Sequence, residues 1–285
     1  MNNDSVIFLP GAPVAEAVLV DVADRVAKLA AIGKTVGLGT ILVGDDPASA
    51  GYVRRKHELC EEKGLQSHHV AIEAGDVDGL YAAIDQFNAD PSVDAYLIQN
   101  PTPGIDFNAA LERVDPAKDA DGLHPYNMGL LALGAPGPRP CTPAGIQAML
   151  RHYGIATEGR HIVVVGRGPT LGRPISMLLA LKEPGANAAV TTVHTGVPNL
   201  ADYTREADIL IGAAGVPSIV QPDMVKPGAC VISGGITWEG RKLLPDVDVA
   251  CEDVAGWITP RLGGVGPTTL ALLFANTVAC AERAV

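Results

Sequence analysis

The sequence has no cluster of basic residues: 21 Lys and Arg stand against 32 Asp and Glu, a formal net charge of -11. A phosphate polymer or an anionic membrane would be repelled by such a chain, which argues against nucleic acid as a partner. A small anionic ligand met by a few local cations is still allowed. Also missing is an apolar run of the ~18 residues that a membrane span requires. The opening Met1-Asn2-Asn3-Asp4-Ser5 lacks the basic region of a secretory leader, so the expectation is a cytoplasmic protein with no membrane partner. Cysteine is sparse: Cys60, Cys141, Cys230, Cys251 and Cys280 are odd in number and include no C-x-x-C pair. That pattern indicates neither a disulfide framework nor a zinc site, and the expected role is small buried apolar residues.

What is present is enough chain, 285 residues with 47% hydrophobic content, for one large or two medium domains, each with its own core. The rest is organised around Ile162-Val163-Val164-Val165-Gly166-Arg167-Gly168-Pro169-Thr170-Leu171-Gly172-Arg173-Pro174. Four consecutive aliphatics fit a strand buried on both faces of a parallel sheet. Gly166, Gly168 and Gly172 then form G-x-G-x-x-x-G, a turn in which backbone can approach a pyrophosphate at a helix start. Plain tight turns use the same glycines, and by itself the pattern divides evenly between the two readings.

Val14, Val18, Val22, Val26 and Leu29 space a first helix that ends near Gly33, and Val36 to Val43 reads as a buried strand. Asp46 is set to cap, and Pro47 to open, a second helix that Gly64 stops. Further strands are expected over 70–72, 95–98, 189–193, 209–213, 230–232 and 257–259. Helices are expected over 77–87, 108–114, 200–207 and 270–283, with another capped by Thr142, opened by Pro143 and reaching Tyr153. The Gly- and Pro-rich stretch 134–140 reads as a domain boundary, and what lies between the elements that follow the glycine turn reads as loop. This alternation predicts an α/β fold with parallel sheets and right-handed crossovers.

On the second helix Ser49, Tyr52 and Lys56 fall at i, i+3 and i+7, so a hydroxyl, a ring and an ammonium share one face. The helix begins at the C-terminal edge of a strand, where open α/β sheets place ligands. A solvated lysine beside a half-buried tyrosine is the plainer account of an arbitrary Y-x-x-x-K. Gln99 closes a strand just before a proline turn, and a loop hydrogen bond there is as reasonable as a ligand contact. Asp119 and Asp121 read first as turn formers, with a metal site or a catalytic carboxylate pair as the alternatives. After the second strand of the later domain stand His194 and Thr195, where NAD-preferring domains carry an acid for the ribose hydroxyl. With no carboxylate there, and Arg167 in the turn, NADP is favoured. Gly263-Gly264-Val265-Gly266-Pro267, leading into the last helix, is a second place where backbone can meet a ligand closely.

Several dispersed blocks together resemble one family. They are Val43-Gly44-Asp45-Asp46-Pro47-Ala48-Ser49 with Tyr52 and Lys56, Gln99, Lys118-Asp119-Ala120-Asp121-Gly122-Leu123-His124-Pro125, Pro140-Cys141-Thr142-Pro143, Gly166-Arg167, and Gly263 to Pro267. Their order and spacing resemble the bifunctional methylenetetrahydrofolate dehydrogenase/cyclohydrolase, or FolD, family from about Gly37 to Glu282. The resemblance implies an N-terminal α/β folate-binding catalytic domain over 1–141, completed by 268–285, and a Rossmann NADP-binding domain over 142–267. Long helices would join the two, the last one returning to the first domain. It implies NADP-dependent oxidation of 5,10-methylenetetrahydrofolate to the methenyl cation and hydrolysis to 10-formyltetrahydrofolate, by a homodimer without a resident metal.

In the roles so implied, Lys56 is the catalytic lysine, Gln99 holds it, Tyr52 stacks on the folate ring system and Asp121 binds the pterin. Ser49, Gly263, Gly264 and Val265 would border the substrate. Gly166, Arg167, Gly168, Leu171, Gly172, His194, Thr195, Ala214, Gly215 and Ile236 would border the cofactor. The sequence departs from the family at four places. Asn100 and Thr102 replace apolar residues of a Q-L-P-L-P turn, Ser233 stands where V-I-D-V-G has Asp, and Arg261-Leu262 replaces a proline-containing approach to G-G-V-G. Ser233, Asn100 and Thr102 motivate a second reading, a dehydrogenase without the cyclohydrolase step or with a shifted substrate; a non-catalytic NADP-binding module is the third.

Overall fold

The computed structural model describes residues 6–240 and 242–285, with Pro47 and Ala48 by backbone alone; the opening Met1 to Ser5, read above for a leader, lies outside the described residues. In chain order the elements are β1 (Ile7–Phe8), α1 (Gly11–Ala31), β2 (Gly37–Val43), α2 (Pro47–Lys63), β3 (Gln66–Ile72), α3 (Val77–Ala89), β4 (Ala95–Gln99), α4 (Phe107–Glu112), α5 (Pro125–Leu133) and α6 (Cys141–His152). There follow β5 (His161–Val165), α7 (Gly172–Ala180), β6 (Ala189–Val193), α8 (Ala201–Thr204), β7 (Ile209–Gly212), β8 (Cys230–Ser233), β9 (Ile236–Glu239), β10 (Lys242–Pro245), β11 (Trp257–Ile258) and α9 (Val265–Arg283). The chain divides into two compact units, one of the stretch up to Ala15 with Pro140–Thr269, the other of Glu16–Arg139 with Leu270–Val285. No helix among the described residues is long and apolar enough to cross a membrane.

The Glu16–Arg139 unit is built on three parallel strands in the order β3-β2-β4. Central β2 is buried along its whole length, whereas edge strand β3 is mostly exposed or half-buried. Leu80, Ile84 and Phe87 of α3 pack on Ile41, Val43, Tyr96 and Ile98 of the sheet. The last helix returns to the first: Arg25 Nε and Nη2 grip the Glu282 carboxylate at 2.9 and 2.6 Å.

The other unit holds a six-stranded parallel sheet in the order β1-β11-β8-β7-β5-β6. The first strand of its βα series, β5, lies between β6 and β7, so the winding direction reverses there, and the switch point faces the glycine turn. Val163, Val165, Leu210, Val231 and Ile258 fill the core of this sheet.

Several elements differ from the expectations. β1 is a strand that the sequence does not announce; it pairs with β11 through Ile7↔Trp257 and Phe8↔Ile258. β9 and β10 form an antiparallel hairpin where loop was expected, turning at Gly240 with φ 60°. α5 lies over residues for which no element was expected: Pro125 opens it, His124 Nδ1 accepts from the Tyr126 N–H at 3.0 Å, and Gly134 ends it in the left-handed region. Thr142 is not a cap. It lies inside α6, which starts after Pro140 with no side-chain cap, and its hydroxyl accepts from Thr269 Oγ1 at 3.2 Å.

Candidate active site

α2 starts where β2 ends, and its two ends are fixed as the sequence suggests. Asp46 accepts the Ser49 N–H at 2.8 Å, Pro47 opens the first turn, and Gly64 closes the helix at φ 75° with its N–H on the Cys60 and Glu61 carbonyls. The rotation of the helix is thereby set, and Lys56 points inward, only 8% exposed. Its Nζ donates to Gln99 Oε1 at 2.8 Å. Gln99 is oriented in turn, because its Nε2 donates to the Asn100 carbonyl at 3.0 Å and leaves the oxygen for the lysine. Tyr52, on the same helix, is 52% exposed, so its ring is not part of the core. Ser49 is buried and its backbone serves the cap. Of the departures in the turn, Thr102 has a structural account: it is buried and donates to the Ile105 carbonyl at 3.1 Å.

Asp119 and Asp121 do different things. Asp119 is buried at the end of a short 3-10 turn over Pro116–Lys118, and its carboxylate accepts the Gly122 and His124 N–H groups at 3.0 and 2.8 Å and Asn127 Nδ2 at 2.9 Å. It is therefore the turn former. Asp121 is half-buried, with its carboxyl sunk among protein atoms; burial pushes it up to about 6, the Lys56 ammonium pulls it back, and Asp119 adds to the push. Lys56, Gln99 and Asp121 thus form one interacting group, with Tyr52 on the helix that carries the lysine.

In the six-stranded unit, Gly166 takes φ 128°, and a Cβ there would lie 2.1 Å from the Ala213 carbonyl oxygen. A Cβ at Gly172 would lie 2.5 Å from the Gly166 oxygen, so both glycines are demanded by the packing of the turn itself. Gly168 is different: a Cβ there meets nothing within 4 Å. No side chain caps the start of α7, and Leu171, just before it, is buried. At the end of β6, His194 Nδ1 accepts the Gly196 N–H at 3.0 Å, which leaves its Nε2 as the protonated nitrogen. That Nε2 lies 3.1 Å from Arg167 Nη1, also a donor. Side by side, the guanidinium and the imidazole N–H can both donate to one phosphate oxygen. Thr195 is exposed beside them. The chemistry of these donors fits a 2′-phosphorylated dinucleotide.

The remaining predicted cofactor residues are more constrained. The Ala214, Gly215 and Val216 N–H groups all go to the carboxylate of Asp246, at 2.6, 3.0 and 2.9 Å. What Ala214 and Gly215 offer a ligand is the position of their loop, since their donors are engaged. Asp246, fully buried, is a residue that sequence reasoning missed, and nothing local marks it out from other aspartates. Ile236 opens β9 and is 44% exposed. Ser233 closes β8 with its backbone N–H on Thr259 Oγ1 at 2.8 Å, while its own hydroxyl is buried without a partner. Gly263 and Gly264 are explained by the chain start: the Gly11 N–H donates to the Gly263 oxygen at 2.7 Å, and a Cβ on Gly11 would sit 2.0 Å from the Gly264 oxygen. Val265 is buried at the start of α9.

A parallel sheet with a glycine turn at its switch point and a donor pair beyond the next strand define a dinucleotide-binding α/β protein. Comparison with known proteins narrows the class. Residues 9–121 match the catalytic domain of tetrahydrofolate dehydrogenase/cyclohydrolase, and residues 140–285 match its NAD(P)-binding domain. The chain is 63% identical over 278 residues to the bifunctional protein FolD of Syntrophotalea carbinolica, covering 97% of this chain and 96% of that protein. Among solved structures it is similar to the bifunctional FolD of Campylobacter jejuni, with a TM-score of 0.92, 37% identity and coverage of 99% and 100% of the two chains. It is also similar to the Trypanosoma brucei FolD complexed with NADP cofactor and inhibitor, with a TM-score of 0.89, 34% identity and 98% of each chain covered. The chain belongs to the tetrahydrofolate dehydrogenase/cyclohydrolase family.

Proposed function

We infer that this chain oxidises 5,10-methylenetetrahydrofolate to 5,10-methenyltetrahydrofolate with NADP and hydrolyses that product to 10-formyltetrahydrofolate. Family membership over both domains supports the pair of activities, and the observation that carries the reading is the buried Lys56 held by Gln99 at 2.8 Å. NADP, when bound, supplies the hydride acceptor. The chain's own residues hold the folate and move protons. We assign Tyr52 to stacking on the folate ring system, Asp121 to the pterin N–H groups, and Lys56 to the acid/base work of the hydrolysis. Gln99 keeps the lysine nitrogen in one place, so the proton transfer needs no search over rotamers. The methenyl product is a cation, and the Asp121 carboxylate offsets the positive charge of Lys56 beside it. Arg167, His194 and Thr195 take the 2′-phosphate, Gly166, Gly168, Leu171 and Gly172 the pyrophosphate side, and Ala214, Gly215 and Ile236 the nicotinamide side. Ser49 and the Gly263-Gly264-Val265 segment complete the substrate border. A cytoplasmic homodimer, with a folate domain over 1–141 and 268–285 and a cofactor domain over 142–267, belongs to the same reading.

The test is an absorbance time course with methylenetetrahydrofolate and NADP for the wild type and Lys56→Met. The wild type makes the methenyl product and then consumes it. The variant is expected to lose hydrolysis by about 100-fold or more, the usual scale for removing a general acid/base group, while still binding NADP. Accumulation of methenyl product by the wild type, with no hydrolysis beyond the solvent rate, would instead favour the dehydrogenase-only reading.

A further inference from the structure

Asp119 is a buried carboxylate of the loop that carries Asp121, and the proposed mechanism gives it no role. It is 2% exposed, its neighbour Ala120 donates to the Tyr96 carbonyl of β4 at 3.1 Å, and its carboxylate receives three N–H groups, those of Gly122, His124 and the Asn127 amide. Gly122 immediately follows Asp121, so the bond to its N–H fixes the peptide through which the Asp121 side chain is presented. Lys118 secures the other side of the turn, its ammonium donating to the Phe87 and Asp90 carbonyls at 2.9 and 2.7 Å. We propose that Asp119 is the positioning residue for Asp121: its buried carboxylate holds the turn that presents Asp121 to Lys56 and the substrate.

The same charge acts on Asp121 through space. Groups that act electrostatically on one or other of the two carboxylates include Lys56 on α2, Tyr96 on β4 and Cys280 on α9, and the turn itself carries Lys118 and the buried His124. Burial holds the Tyr96 phenol far above its usual range and pushes the Cys280 thiol up to about 11, so both stay neutral at working pH. Lys56 and Asp119 are left as the opposing charges on Asp121, one lowering its proton affinity and the other raising it. Removing the charge of Asp119 therefore makes Asp121 ionise at lower pH, an effect that loss of rigidity alone does not produce.

This inference rests on Asp121 binding the pterin, and the experiment separates the two. Asp119→Asn, Asn127→Ala and Asp121→Asn are compared for KM and kcat with methylenetetrahydrofolate across pH, and for the Kd of NADP by calorimetry. Asp119→Asn presents an amide NH2 to backbone donors, so the turn shifts: KM is expected to rise about 10-fold or more with the Kd of NADP unchanged, and the acidic limb of kcat/KM moves to lower pH. Asn127→Ala keeps the charge and removes one of the three donors to Asp119, together with the bond to the Pro116 carbonyl, so KM rises less and the limb stays in place. Wild-type KM and an unmoved limb in Asp119→Asn overturn the proposal. Should that variant fail to fold, Asn127→Ala decides it, and a wild-type KM there overturns it. If Asp121→Asn itself leaves KM unchanged, it is the assignment of Asp121 to the substrate that fails.

Discussion

At the residue scale, Asp121 ties function to stability. Its folded-state pKa of about 6 lies above the ordinary carboxylate value of 3.8, so the folded protein holds this proton more tightly than the unfolded chain does. The sign follows: ionising Asp121 opposes folding, the cost is absent below about pH 4, grows as the pH rises towards about 6, and is complete above it. Asp121→Asn is therefore expected to leave stability unchanged at about pH 4 and to raise it at about pH 8 by on the order of 1–3 kcal/mol, read by urea denaturation at both pH values. Equal effects at both would sink the idea. Arg167 gives a second prediction. The guanidinium lies 3.1 Å from His194 Nε2, where the 2′-phosphate is proposed to bind, and Arg167→Ala should weaken NADP about 10- to 100-fold while leaving NAD nearly unaffected, in a calorimetric comparison of the two cofactors. Tyr52, Lys56, Gln99 and Arg167 stand out in the sequence by position, at a helix face, a strand end or a glycine turn, whereas the roles proposed for them come from the family resemblance. Asp119 was legible as a turn former, but neither its set of donors nor the work of Asp246 was, since a buried carboxylate is defined by the N–H groups that the fold brings to it.

At the scale of elements, α2 is the part whose local chemistry specifies most. An aspartate cap, a proline at the first position and a left-handed glycine stop agree with one another and leave little freedom in where the helix begins. Because the Asp46 cap and Lys56 belong to the same helix, fraying its first turns disturbs the seat of Tyr52. Asp46→Ala is expected to cost about 1 kcal/mol by chemical denaturation, the usual value for an N-cap, and to raise the KM for the folate more than it lowers kcat. A loss of kcat with KM unchanged would contradict this. The elements that escaped sequence reading have a common cause. β1 is two residues long and exists through pairing with β11, which lies about 250 residues away in the chain, so no local period reveals it. The β9–β10 hairpin and α5 did carry signals, Gly240 between two short alternating runs in one and Pro125 with Gly134 in the other, but each sits in a stretch whose Gly and Pro content reads equally well as loop.

At the scale of the whole molecule, the cysteines report how far burial extends. All five are buried, and they come from both compact units: Cys60 and Cys280 from one, Cys141, Cys230 and Cys251 from the other. Burial pushes Cys60, Cys251 and Cys280 up to about 11 and Cys230 up to about 12, so the reactive thiolate is scarce at neutral pH as well as shielded. Reaction with a thiol reagent must then wait for local or global opening, and its rate reports the stability of the unit that holds each thiol. In native buffer no thiol is expected to react within the mixing time, whereas in denaturant all five react at once, a total that a disulfide would reduce. Saturating NADP should slow Cys141, Cys230 and Cys251, because a ligand that binds only the folded state stabilises it in proportion to the logarithm of its concentration over Kd. Mass spectrometry of the labelled peptides separates the two groups. Equal protection of Cys60 and Cys280 would mean that the two units open together, and protection of Cys60 and Cys280 alone would mean that NADP does not bind at the Arg167 turn.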